Sequence, residues 1–216
     1  MHEDFLRDKG KLRPGDLQWM TVGRGIVHSE MPASEAPARG LQLWTNLPRA
    51  KKMMEPAYQE IKCEDVPQVY NPNNTVTALL FAGSFMDQKG PITTQAPVSF
   101  IHFFMEKHAQ LTNSLPEGHN AFLYVIFGDE ICATTRIKAY DAIVLEASGD
   151  CVLFRTDEIP LQVILITGQP LHEPLARYGP FVMSIEEEIH QALRDFRNCK
   201  NGFENAKFWK FKIGNR

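Results

Sequence analysis

Long hydrophobic runs are missing from this 216-residue chain. No apolar stretch approaches the roughly 20 residues that a bilayer-spanning helix needs, and Met1-His2-Glu3-Asp4 is the reverse of a basic leader. A soluble, intracellular protein is therefore expected. Cysteine is scarce: Cys63, Cys132, Cys151 and Cys199 lie far apart without a C-x-x-C pair, which suits reduced thiols better than a disulfide frame or a zinc knuckle. Neither charge dominates, with 23 Lys and Arg against 26 Asp and Glu and a net charge of -3. Such a balance gives no electrostatic footprint for non-specific binding to nucleic acid. The G-x-S-x-G, Walker, Rossmann and H-E-x-x-H patterns are absent, so acyl transfer, nucleotide hydrolysis, pyridine-nucleotide chemistry and zinc proteolysis lose their usual support.

What is present is the rhythm of a β protein. Fourteen prolines and fourteen glycines cut the chain into short segments rich in Val, Ile, Phe and Thr. Between residues 75 and 168, TVTALLFAG, PVSFIHFFME, NAFLYVIFGDEICA, DAIVLEAS, CVLFRT and LQVILITG read as successive strands of a sandwich or barrel. Residues 10–47 repeat the style on a smaller scale: an RPGD turn, then strands at LQWMTV, IVHSEM and LQLWTNL, half a barrel at most. One helix is expected over 184–199, with Ser184 and Glu187 as a capping box and a stripe of Ile185, Ile189, Leu193 and Phe196. Asn201-Gly202 supplies its stop, and the basic, aromatic tail beyond it reads as an arm that buries Phe208, Trp209 and Phe211.

The chemistry-bearing residues are histidines. His28 stands two residues before Glu30 on an expected strand, where positions i and i+2 share a face. An imidazole and a carboxylate so placed suit iron, manganese or nickel. His102 and His108 flank a strand, His119 falls in an expected exposed loop, and His2 begins the first strand-rich region.

The block GKLRPGDLQWMTVGRGIVHSEMP, followed by GLQLWTNLP, resembles the signature of the pirin family within the cupin superfamily. The resemblance continues through EPAYQEI, GPFVM and DFRNCKNGFENAKFWKFKIG and so covers nearly the whole chain. It implies an all-β bicupin of two antiparallel β-barrels or jelly rolls, the first incomplete, with a C-terminal helix and arm. The implied organisation is a partial N-terminal cupin domain at 1–65, a C-terminal cupin domain at 66–170, and a helix and arm at 171–216 packing on the body.

In pirins a single iron is held by three histidines and a glutamate, and the resemblance carries two of these over, to His28 and Glu30. The other two belong to a P-H-x-H-R-G-F-E pattern that this sequence does not contain. The expectation is a pirin missing the first strands of barrel one, which binds iron weakly or not at all. Trp19, Met20 and Trp44 are candidate cavity-lining residues, and His2 is a further candidate to face inward. Laying the cupin first motif over the segment ending at Gly128 puts Ala121 at the glutamate and Ser114/Pro116 or Leu115/Glu117 at the histidines, so the second barrel lacks that site.

By resemblance the function is that of an iron-binding nuclear and cytoplasmic protein, monomeric, acting as a transcriptional co-regulator on factors of the nuclear factor kappa B type. The alternatives are a quercetin 2,3-dioxygenase-type oxygenase acting on a flavonol, and a truncated, metal-poor and inactive pirin form. Neither direct nucleic-acid binding nor membrane association is expected.

Overall fold

The computed structural model of the chain describes residues 1–216 apart from 7, 133, 134, 147, 211 and 213–216. It divides into two compact units, residues 1–63 together with 172–216, and residues 64–171. Among the described residues, no helix is long and apolar enough to cross a membrane.

The first unit opens with five short strands: β1 (His2–Asp4), β2 (Lys9–Gly10), β3 (Leu17–Thr21), β4 (His28–Glu30) and β5 (Ala57–Ile61). They form a three-stranded sheet ordered β2-β1-β4 and a separate β3-β5 pair, so the described strands close no barrel here. Both sheets are antiparallel. His2 lies opposite Gly10 on one side and Glu30 on the other, while Gln18 lies opposite Glu60 and Met20 opposite Tyr58. Before β3, the carboxylate of Asp16 accepts the backbone N–H groups of Arg13 at 3.0 Å and Cys63 at 2.9 Å, which fixes the expected Arg-Pro-Gly-Asp turn. The strand expected at 41–47 is not formed. Leu41 and Trp44 are exposed, and no described strand pairs with the segment to turn its apolar residues inward.

The second unit holds β6 (Gln68–Tyr70), β7 (Val76–Ala82), β8 (Ser84–Phe85), β9 (Gln88–Lys89), β10 (Val98–Met105), β11 (Gln110–Ser114), β12 (Asn120–Phe127), β13 (Asp129–Cys132), β14 (Thr135–Lys138), β15 (Ala142–Val144), β16 (Cys151–Arg155) and β17 (Leu161–Gly168). Six of them form one sheet, ordered β15-β12-β17-β10-β7-β6, and four form the other, ordered β11-β16-β13-β14. Alternate residues point between the sheets, and Phe103, Leu123, Leu161 and Leu165 from the first meet Leu111, Ile137 and Phe154 from the second in one core. Each such large apolar side chain contributes about 1.5–3 kcal/mol by leaving water. Phe85 meets Phe103 edge to face at 5.3 Å between ring centres. The segment read as one strand over 120–133 is two. Gly128 takes φ 113° against the carbonyl of Pro160, and the chain passes there from the six-stranded sheet to the four-stranded one.

The chain then re-enters the first unit through the hairpin β18 (Ala176–Tyr178) and β19 (Phe181–Met183), followed by helix α1 (Glu186–Asn198). The helix starts two residues later than expected and is capped differently. Glu188, not Glu187, reaches back, its Oε2 accepting the N–H groups of Ser184 at 3.0 Å and Ile185 at 3.3 Å. The Ser184 hydroxyl is buried without a partner among the described residues. Cys199 in the left-handed region ends the helix ahead of Asn201-Gly202. Phe208 is 80% exposed rather than buried, and Phe211 lies outside the described residues. The aromatic anchor is Phe203, whose ring occupies the space beside Gly25 and packs near Phe5 and Phe196.

Candidate metal centre

β1 is the central strand of its sheet, so the side chains of His2 and Asp4 are covered, at 6% and 4% exposure. Asp4 is structural. Its Oδ1 accepts the N–H groups of Leu6 at 2.7 Å and Asp8 at 3.0 Å, which forms the β1-β2 turn, and its Oδ2 accepts the hydroxyl of Tyr58. Burial, with Asp4 beside it, raises the Tyr58 pKa and keeps the phenol protonated.

The turn built on Asp4 brings Asp8 toward His2, and Glu60 arrives from β5. Donor atoms of His2, Asp8 and Glu60 all lie within 4.8 Å of one another, the one group of three such residues among the described residues. His2 Nε2 is 2.8 Å from Glu60 Oε1. The Gln18 side-chain amide, opposite Glu60 in the β3-β5 pair, donates to Glu60 Oε1 at 3.1 Å and lies 3.1 Å from His2 Nδ1. The same amide nitrogen is 3.3 Å from His2 Nε2, so Gln18 holds the ring in place beside Glu60. Gly10 makes the arrangement possible: a Cβ there would stand 2.4 Å from His2 Nε2 and 3.1 Å from Glu60 Oε1.

Two features bear on whether an ion fits. Asp8 Oδ2 is buried with no hydrogen-bond partner among the described residues, an uncompensated acceptor of the kind a cation satisfies. One imidazole and two carboxylates are also donors that suit iron, manganese or nickel. Lys62 stands nearby, its Nζ 3.9 Å from Glu60 Oε2 and 3.4 Å from Asp16 Oδ2, so part of the local negative charge is already neutralised. The donor set fits a metal, with Asp8 as the oxygen left without other work.

Of the residues read from the sequence, His2 belongs to this group of three donors and His28 and Glu30 do not. His28 and Glu30 share a face of β4, and because directly opposed residues project to the same side, Glu30 accompanies His2 and His28 accompanies Asp4. Both are exposed, since β4 is an edge strand, and they join no group of three donors among the described residues. Met20 shares a face of β3 with Gln18, whereas Trp19 projects from the opposite face by strand alternation. Trp44 is 55% exposed, with the Arg177 guanidinium 5.3 Å over its ring, and lines no interior. His119 is half-buried rather than exposed. Asp8, Gln18 and Glu60 were not singled out by the sequence reading. The signal available was the spacing Tyr58-x-Glu60, the same i, i+2 pattern that marks His28 and Glu30.

Two family models match the chain. Residues 1–45 match the family model described as Pirin, and residues 100–202 match that of the pirin C-terminal cupin domain. The chain is 45% identical to rat pirin over 219 aligned positions, which span 100% of this chain and 75% of the rat protein. Among solved structures, quercetin 2,3-dioxygenase from Acinetobacter baumannii aligns with a TM-score of 0.85 at 33% identity, covering 94% of this chain and 72% of the other. The bacterial pirin YhhW from Escherichia coli, in complex with nickel(II), aligns with a TM-score of 0.54 over 78% of this chain and 67% of its own. At 15% identity that last likeness is one of fold.

Proposed function

Because the chain belongs to the pirin family of bicupins, we propose that it is a metal-binding pirin that holds one iron ion weakly in its first unit. Through that ion it acts as a nuclear and cytoplasmic co-regulator of transcription factors of the nuclear factor kappa B type. The observation that carries the metal assignment is the His2, Asp8 and Glu60 group with its unpartnered Asp8 oxygen. Glu30, opposite His2, and His28, opposite Asp4, lie on the same face of the neighbouring strand. Bound there, iron would supply redox-active Lewis-acid chemistry.

The chain's own residues prepare the place. Gln18 orients the imidazole, Gly10 admits it, and Asp4 with Tyr58 holds the turn that delivers Asp8. The near-balanced charge suits a protein partner better than a bare phosphate backbone. A second reading, a quercetin 2,3-dioxygenase-type oxygenase, is favoured by the likeness to the Acinetobacter baumannii enzyme.

The test is metal analysis of the purified protein after dialysis against a mild chelator, followed by ferrous titration. The expected result is substoichiometric iron as purified, refilled to about one ion per chain, with binding lost in Glu60→Gln and reduced in Asp8→Asn. Loss in His28→Ala but not in Asp8→Asn would move the ion to the β4 edge. No ferrous binding at all would leave an inactive, metal-poor pirin form. Quercetin consumption by the refilled protein separates the oxygenase from the co-regulator, for which binding to the transcription factor in the absence of turnover is expected.

A further inference from the structure

The second unit carries a cavity that the metal centre does not use. Strands β8, β10, β11 and β17 line it, β8 through Ser84, and the last three show the same change along their inward-facing rows. On β10 the row runs Met105, Phe103, Ile101 and then Ser99; on β17 it runs Leu161, Val163, Leu165 and then Thr167; on β11 Leu111 gives way to Asn113. Ser99 and Thr167 are directly opposed across the β10-β17 ladder, so their hydroxyls share a face at one end of the core. There the core opens into a cavity of about 250 Å³, floored by Ile101 and Leu165 and bounded by Asn113 and Leu115.

Its chemistry is selective. No lining residue is charged and none is histidine or cysteine, so neither a metal ion nor an ionised ligand finds a counterpart. The stretch 114–116 at the wall is where the cupin first motif would set histidines. An entirely apolar guest is disfavoured as well. Thr167 is 1% exposed, and its Oγ1 is buried with no partner among the described residues, a donor and acceptor that an apolar guest would leave unsatisfied. Asn113, 7% exposed, is held in place by its Nδ2 donating to the Ser114 carbonyl at 2.9 Å. Water alone would satisfy Thr167 but leave Ile101 and Leu165 wetted.

We propose that this cavity binds a small uncharged phenol, its ring on Ile101 and Leu165 and its hydroxyl paired with Thr167 beside Ser99. A single planar ring fits the volume, places its apolar face on the floor and loses little internal freedom on binding. One hydroxyl meets the one polar end.

The experiment is an NMR titration of the full chain with phenol, with benzene and glucose as comparison probes. Phenol is expected to shift the amides of Ser99, Leu115 and Thr167, with glucose giving no shift. Thr167→Val, close in shape but without the hydroxyl, weakens phenol about tenfold and leaves benzene unchanged or tighter. Leu115→Trp, at the half-buried wall, abolishes both and does not depend on the core tolerating the first substitution. Equal phenol affinity in the wild type and in both variants, or shifts confined to other residues, overturns the proposal. So does the absence of any phenol shift in the folded wild-type chain.

Discussion

His102 gives the second unit a pH dependence that can be worked out in advance. The residue lies in β10 between Leu79 of β7 and Ile164 of β17, on the face opposite the Phe103 row. Its ring centre is 4.1 Å from that of Phe104, and its Nε2 is buried with no partner among the described residues. Burial without a counter-charge lowers its pKa from 6.5 to about 4. The unfolded chain therefore takes up a proton near pH 6.5 and the folded chain only near pH 4. Stability from this group is fully present above pH 6.5 and is lost as the pH falls toward 4. At about 1.4 kcal/mol per pH unit the loss between pH 7 and pH 5 is about 2 kcal/mol. Tryptophan fluorescence would miss it, because Trp19, Trp44 and Trp209 all belong to the first unit. Hydrogen exchange of the Ile101 and Leu165 amides reports on the right place. The comparison is with His102→Leu, which shares every other titrating group and should lack this part of the slope. Parallel pH profiles for the two proteins would refute the reasoning.

Gly10→Ala should displace the His2 ring, since the added Cβ would come within 2.4 Å of Nε2. Ferrous binding is expected to fall as in Glu60→Gln, while amide exchange in β10 and β17 stays unchanged. Phe103→Ala, at a side chain with no exposure and packed on Phe85 and Phe154, should cost about 3–5 kcal/mol by denaturant unfolding of the second unit. Glu188→Gln should increase exchange at the Ser184 and Ile185 amides, because the carboxylate that accepts both and also pairs with Arg49 at 2.8 Å loses its charge.

The second unit was the more legible in the sequence. TVTALLFAG, PVSFIHFFME and LQVILITG each became a strand because their alternating or continuous apolar residues have somewhere to go on both sides of a six-stranded sheet. β11 and β14, QLTNS and TRIK, escaped notice: each buries only one row of two or fewer side chains, too little to stand out from a polar loop. In the first unit, LQLWTNL carries the same alternation as a strand yet forms none, because periodicity states which residues would share a face and not whether a partner is beside them. The candidate site was half legible for a related reason. His28 and Glu30 are separated by one residue and announce a shared face, and so does Tyr58-x-Glu60. Nothing in the order of residues says that Glu60 lies opposite Gln18, or that a turn held by Asp4 turns Asp8 toward His2. The first is a product of pairing between segments more than forty residues apart, the second of a local turn whose hydrogen bonds the sequence does not announce.

The division of the chain also sets the order in which it can be finished during synthesis. The first unit is made of both ends of the sequence, and Phe203 occupies the space that Gly25 leaves open, with Arg24 against Gly202. Residues 64–171 are contiguous, so they can close their core while the chain is still being extended. The strands that carry His2 and Glu60 are synthesised before residues 64–171 and meet Phe203 only after them, a delay on the order of 10 to 30 s at ordinary elongation rates. Throughout it the unpaired edges of β2, β3, β4 and β5 are open to wrong partners. The part of the protein that carries the proposed iron ligands is therefore the part whose packing is completed last.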